Sequence, residues 1–294
     1  MTSFAVAGVR VGHVTRDGTG VTVMLLPAGT TASGEVRGGA PATREIDLLD
    51  PARTVAQIDA VVFAGGSAFG LRAADGVMRY LVERGQGFPT AGGPVPIVPT
   101  ACVYDLVDTG GNMPTADDGY AACEAAARDE ALATGRVGAA ASATVGKWKG
   151  RDTAVPGGVG VAAAVVDGFT IAALAVVNAV GDVVAADGRV IAGSTAPADA
   201  PPFPTPVPFE EDRGNTTLVA LVTDAAIDKP ACHLLAHSAH DGFARALRPV
   251  HTRHDGDLVV VAATGAKTEA VANIDRLRVG ATDVVADAIR AAPQ

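Results

Sequence analysis

Beyond residue 157 the hydrophobic pattern delivers three strand-like runs in close succession, over residues 159–166, 170–177 and 183–185. No helical stretch separates them. Strands and helices in this chain therefore come in mixed groups and not in strict alternation, which favours stacked layers over a doubly wound parallel sheet. The class expected is α/β in the α+β sense, and 294 residues can hold one large domain of that kind or two ordinary ones.

The remaining elements fit that reading. Residues 4–14 alternate loosely as a strand and turn, and 20–27 form a strand stopped by Pro27. A short buried strand over 59–64 enters Gly65-Gly66-Ser67-Ala68-Phe69-Gly70. Leu71, Ala74, Val77, Met78 and Leu81 recur at helical spacing, which predicts a helix over 71–83; alanine-rich 116–134 predicts another. Residues 194–212 carry six prolines and read as a loop. A strand (217–222), a helix (229–247), a strand (258–263) and a final helix (280–291) follow.

Composition narrows the function. A hydrophobic share of 48% against 19% charged residues supports a large buried core. The formal charge of -9, with only four lysines, argues against a nucleic-acid partner. The uncharged runs 154–166 and 168–181 are broken at Asp167, and both fall short of the roughly 20 apolar residues a spanning helix needs. Cys102, Cys123 and Cys232 form no CxxC pair and suit a reducing compartment. With no signal-like stretch after Met1, the chain reads as soluble and cytoplasmic, without a membrane partner.

The chemistry concentrates at Gly214-Asn215-Thr216-Thr217, where a proline-rich acidic segment gives way to a strand. A hydroxyl facing its preceding carbonyl can attack it, forming an ester that water opens. Scission of the Asn215-Thr216 bond would give Thr216 an α-amine with an ordinary pKa of about 7.7–8.0, so one residue would hold both nucleophile and base. Asp255 and Asp257 flank Gly256 at a strand mouth, where two carboxylates could accept from that hydroxyl and ammonium. Lys147 follows a small-residue run that would let its charge enter a dry site. Asn178 offers an amide donor at a strand end. Each of these alone is also explained as an ordinary turn or loop residue.

Two rival signals stand beside them. His233, His237 and His240 lie on one side of the helix at 229–247, a spacing that can bind zinc, although Leu234 stands where HExxH has glutamate. Gly65-Gly66-Ser67-Ala68-Phe69 approaches a nucleophile elbow but lacks its second glycine.

Taken in order, these segments resemble the DmpA-like peptidases, which include β-peptidyl aminopeptidases and nylon-oligomer hydrolases. The likeness runs from Gly8-Val9-Arg10-Val11-Gly12-His13 through Arg37-Gly38-Gly39-Ala40-Pro41 and Ala64-Gly65-Gly66-Ser67-Ala68-Phe69-Gly70-Leu71. It continues through Tyr104, Lys147, Asn178, Gly214-Asn215-Thr216-Thr217 and Asp255-Gly256-Asp257. The resemblance implies one domain over residues 1–294, a four-layer αββα sandwich, with self-cleavage into an α chain (1–215) and a β chain (216–294), and an oligomer, often a tetramer. It implies Thr216 as nucleophile with Asp255 and Asp257 orienting it. Lys147 and Tyr104 would line the reaction centre, and Asn178 would help hold the carbonyl oxygen.

The expected activity is hydrolysis of small peptide or amide substrates, 6-aminohexanoate oligomers among them, with no cofactor. Two alternatives remain open at this stage: an uncleaved, non-enzymatic ligand-binding protein of the same fold, and a zinc hydrolase using His233, His237 and His240.

Overall fold

The computed structural model describes residues 4–128, 130–204 and 214–293. Two five-stranded sheets stack face to face and are covered by a pair of helices on each outer side. This is the αββα sandwich of the DmpA-like fold. In the first sheet the strands are β1 (Arg10–Arg16), β2 (Thr19–Leu25), β4 (Thr43–Arg44), β5 (Ala60–Ala64) and β6 (Thr100–Cys102), with β3 (Thr31–Val36) departing to the other sheet. Its order is β1-β2-β5-β6-β4. The second sheet takes β7 (Gly158–Val166), β8 (Phe169–Asn178), β9 (Thr216–Ala225) and β10 (Leu258–Lys267) in the order β7-β8-β9-β10-β3.

The hairpins β1–β2 and β7–β8 turn on Asp17-Gly18 and Asp167-Gly168, where both residues of each pair have positive φ. That is the mirror-image turn whose twist matches paired strands, and Asp-Gly accepts it at least cost. The β9–β10 pair is parallel, with α3 (Lys229–Ala246) as its crossover.

Alternation along β9 explains the layering. All ten of its residues are buried. Leu218, Ala220 and Val222 face the first sheet and meet Val61 and Phe63. Val219 and Leu221 point the other way, onto Leu235 and Phe243 of α3 and Leu277 and Ile289 of α4 (Ile274–Ala291). The outer face of the first sheet packs Val21, Val23 and Val62 against Val77 and Leu81 of α1 (Ala73–Val82) and Ala122 of α2 (Ala116–Ala127).

Several boundaries differ from the sequence reading. The helix expected to run to residue 134 ends at Ala127, and Leu132 packs instead against the core between the sheets. The last helix begins at Ile274, because Asn273 caps it by accepting from the Asp275 amide at 2.9 Å. The β3 strand has no counterpart in that reading. Of the expected loop at 194–212, residues 205–212 lie outside the described residues. Ser67 begins a short 3-10 turn whose glycine neighbour Gly66 donates to Asp105 Oδ1 at 2.6 Å, so the Gly-Gly-Ser run is a strand-to-helix turn, not a nucleophile elbow. Among the described residues no helix is long and apolar enough to cross a membrane.

Candidate active site

Thr216 is the first residue of β9 and is 3% exposed. Its hydroxyl donates to the carbonyl oxygen of Asn215, the peptide bond immediately before it. The same oxygen accepts the Gly256 amide at 3.1 Å. The Asn215 carbonyl is thus polarised by one donor while a nucleophilic oxygen sits against it.

The parallel pairing of β9 and β10 builds this arrangement. Leu218 pairs with Leu258, and Asn215 bridges Asp255, so the backbone of Asp255-Gly256-Asp257 runs beside that of Asn215-Thr216-Thr217. A β-carbon at position 256 would lie 2.7 Å from Thr216 Oγ1 and 3.1 Å from the Ala40 carbonyl, so only glycine fits between the two aspartates. The segment Arg37-Gly38-Gly39-Ala40-Pro41 straps this loop: Arg37 N–H donates to Asp257 O at 3.0 Å and Ala40 N–H to Asp255 O at 2.8 Å.

The two carboxylates are both buried and do different things. Asp257 Oδ1 accepts the Thr217 amide at 2.7 Å, and its Oδ2 accepts from His251 Nδ1 at 2.7 Å. Asp255 Oδ2 accepts the Thr252 amide at 2.8 Å and the Thr252 hydroxyl at 2.7 Å, while Oδ1 receives Val180 N–H at 3.4 Å. Burial, reinforced by the negative charge of Asp257, pushes the Asp255 carboxyl up to about 7. In the continuous chain the Thr216 hydroxyl bonds the Asn215 carbonyl, and the aspartates hold the backbone around it.

Lys147, buried like Thr216, enters from the other side. Its Nζ donates to Asn178 Oδ1 at 2.8 Å, to Asn178 O at 3.1 Å and to Gly214 O at 3.0 Å. Asn178 pairs with Thr216 across β8 and β9, and its Nδ2 donates to Gly214 O at 3.0 Å and to Tyr104 O at 3.2 Å. Lys147 and Asn178 therefore grip the carbonyl one residue upstream of the Asn215-Thr216 bond. Tyr104 contributes its backbone oxygen to this cluster, and its ring edge lies 3.0 Å from where a β-carbon on Gly214 would stand. On the same side of Gly214 is Arg151, which is ion-paired to Asp108.

All six residues singled out for catalysis from the sequence, together with Asn215, meet in one buried cluster. Two further groups join it that sequence reasoning did not single out. The Gly256 amide is one; its signal was a glycine wedged between two acids at a strand mouth. The other is His251, for which spacing carried no signal.

The zinc reading of His233, His237 and His240 is not supported. His233 Nε2 and His237 Nε2 face each other at 3.0 Å in a hydrogen bond, whereas His240 Nε2 donates to the Glu35 carbonyl at 3.0 Å. Among the described residues no three His, Cys, Asp or Glu side chains converge as metal ligands would. Burial pushes the His240 imidazole down to about 3, so it stays neutral inside the α3 face.

This layered fold and its buried cluster belong to a class of peptide and amide hydrolases. The chain belongs to peptidase family S58, whose signature matches residues 4–292. It is 46% identical over 287 residues to an uncharacterized aminopeptidase of Mycobacterium tuberculosis, covering 89% of this chain and 80% of the relative. It is 31% identical over 278 residues to a 6-aminohexanoate-oligomer endohydrolase of Agromyces sp., covering 90% and 75% respectively. Among solved structures it matches a Burkholderia sp. beta-aminopeptidase with a TM-score of 0.72 at 23% identity, over 98% of this chain and 84% of that one. The L-aminopeptidase D-Ala-esterase/amidase of Ochrobactrum anthropi gives a TM-score of 0.71 at 19% identity with the same coverage.

Proposed function

We propose that this chain is a self-processing amidohydrolase that cuts its own Asn215-Thr216 bond and then uses Thr216 as an N-terminal nucleophile. In maturation, Thr216 Oγ bonds to the Asn215 carbonyl carbon and the C–N bond breaks. The hydroxyl proton passes to the departing Thr216 nitrogen. Water opens the resulting ester, leaving a carboxylate on Asn215, a free α-amine on Thr216 and its hydroxyl restored. The observation that carries this reading is the Asn215 carbonyl held between the Gly256 amide and the Thr216 hydroxyl.

In turnover the freed amine takes the hydroxyl proton as Oγ attacks a substrate amide. The Gly256 N–H receives the developing oxyanion, the amine product leaves, and water hydrolyses the acyl-enzyme. Residues 214–215 occupy the acyl side of the bond, so they act as the first substrate. Lys147 and Asn178 accordingly bind the acyl chain of an external substrate, with Tyr104 and Arg151 walling it. The aminopeptidase and aminohexanoate-oligomer relatives support short peptides, amino-acid amides and ω-amino-acid oligomers as substrates.

Intact-mass analysis of the purified protein tests the reading. Fragments ending at Asn215 and starting at Thr216 are expected, with Thr216→Ala abolishing both cleavage and hydrolysis. An uncut chain with full activity would overturn it, and an uncut chain that binds small amides without hydrolysing them would indicate a binding protein.

A further inference from the structure

Scission at Thr216 removes the nucleophile's upstream anchor. The first backbone atom downstream that a side chain fixes is the Thr217 amide, which donates to Asp257 Oδ1 at 2.7 Å. The other oxygen of that carboxylate accepts from His251 Nδ1 at 2.7 Å. A carboxylate accepts and does not donate, so Nδ1 carries the proton. We propose that His251 is a positioning residue for the nucleophile, holding Asp257 in the orientation that fixes Thr217 and, through it, Thr216. This rests on the self-processing reading above.

The ring of His251 is set by packing from α3. Its centroid lies 4.9 Å from the His240 ring in an edge-to-face contact and 5.4 Å from the Phe243 ring. Among the described residues His251 Nε2 is buried without a hydrogen-bond partner, and the ring's polar contact is Asp257. The backbone at His251 is left-handed, with φ of 52°, a conformation that histidine, like asparagine and aspartate, adopts more readily than most residues. The groups facing it are Asp257 and, through the carboxylate pair, Asp255; His240 faces it from α3, with Glu35 and Arg37 of the β3 end behind that ring.

The experiment uses the full chain with three substitutions. His251→Asn places an amide N–H near the position of Nδ1 and tolerates the left-handed backbone; it is expected to self-cleave and to keep kcat within about threefold, since the hydrogen bond survives. His251→Leu is expected to lose roughly 10- to 100-fold in kcat, the worth of a hydrogen bond to a charged group, with KM nearly unchanged. Should the leucine chain fail to fold, His251→Gly removes the donor and is expected to show the same kcat loss. If the wild-type chain cleaves and turns over but the donor-free variants match it in kcat, the His251 proposal is overturned. A wild-type chain that never cleaves sinks the underlying reading instead.

Discussion

Asn178 lies directly opposite Thr216 across the β8–β9 ladder, and its side-chain amide bonds the carbonyl of Gly214 rather than that of Asn215. The backbone donor on the scissile carbonyl is the Gly256 amide, beside the Thr216 hydroxyl, so the two ends of the cluster are divided between upstream grip and oxyanion support. Removing the grip should slow the chemistry without emptying the site. Asn178→Ala is expected to reduce the rate of self-cleavage about 10- to 100-fold, measured by the time course of fragment appearance, while circular dichroism stays native.

Position 256 gives a sharper expectation. An added methyl would stand 2.7 Å from Thr216 Oγ1, well inside contact distance. Gly256→Ala should therefore fold, since its backbone amide is retained, yet remain a single uncut chain on a denaturing gel. Normal processing of this variant would show that the hydroxyl occupies another position when it reacts.

Asp255 makes stability depend on pH. Its carboxyl titrates at about 7 in the fold against 3.8 in the unfolded chain. Below the unfolded value both states hold the proton and the contribution to stability is complete; it is lost as pH rises through about 7. Asp255→Asn removes that loss. In the Thr216→Ala background, where both chains stay uncut, its advantage should be small at pH 4 and grow to on the order of 4 kcal/mol by pH 8, followed by denaturant melts. With Thr216 in place, the Asp255→Asn chain should mature slowly or not at all.

Lys229 ties α3 to the N-terminal part of the chain. Its buried ammonium donates to the carbonyls of Leu48 at 2.7 Å, Val55 at 2.9 Å and Arg53 at 3.1 Å. Lys229→Met leaves these oxygens without their donor and is expected to cost about 1–3 kcal/mol of stability, read from a shift in the urea midpoint. The chemistry at Thr216 should be unaffected once the protein is folded.

The sequence carried the layered architecture because a continuous apolar run and a 3.6-residue period survive burial: β9 was visible by the first and α1 by the second. It did not carry β3, where Ser33, Gly34 and Glu35 interrupt the apolar run and only pairing with β10 makes a strand. The end of α2 was misplaced because alanine continues to favour helix past residue 127, whereas partly buried Leu132 packs against the core between the sheets. The cluster of Thr216, Asp255, Asp257, Lys147, Asn178 and Tyr104 was reached through motif order, since residues so far apart share no local period. His251 escaped because its part depends on packing against His240 and Phe243, contacts that no spacing encodes.

In the second sheet, β9 and β10 lie as an inserted pair, with β8 on one flank and β3 on the other. A break at Thr216 leaves every rung of that ladder in place, so the cut pieces stay seated without a covalent link. Once separated by denaturant, however, they must find each other in solution, and recovery becomes a second-order process that dilution suppresses. Maturation would thus exchange a fold that one chain can regain alone for one that persists because it was assembled before the cut.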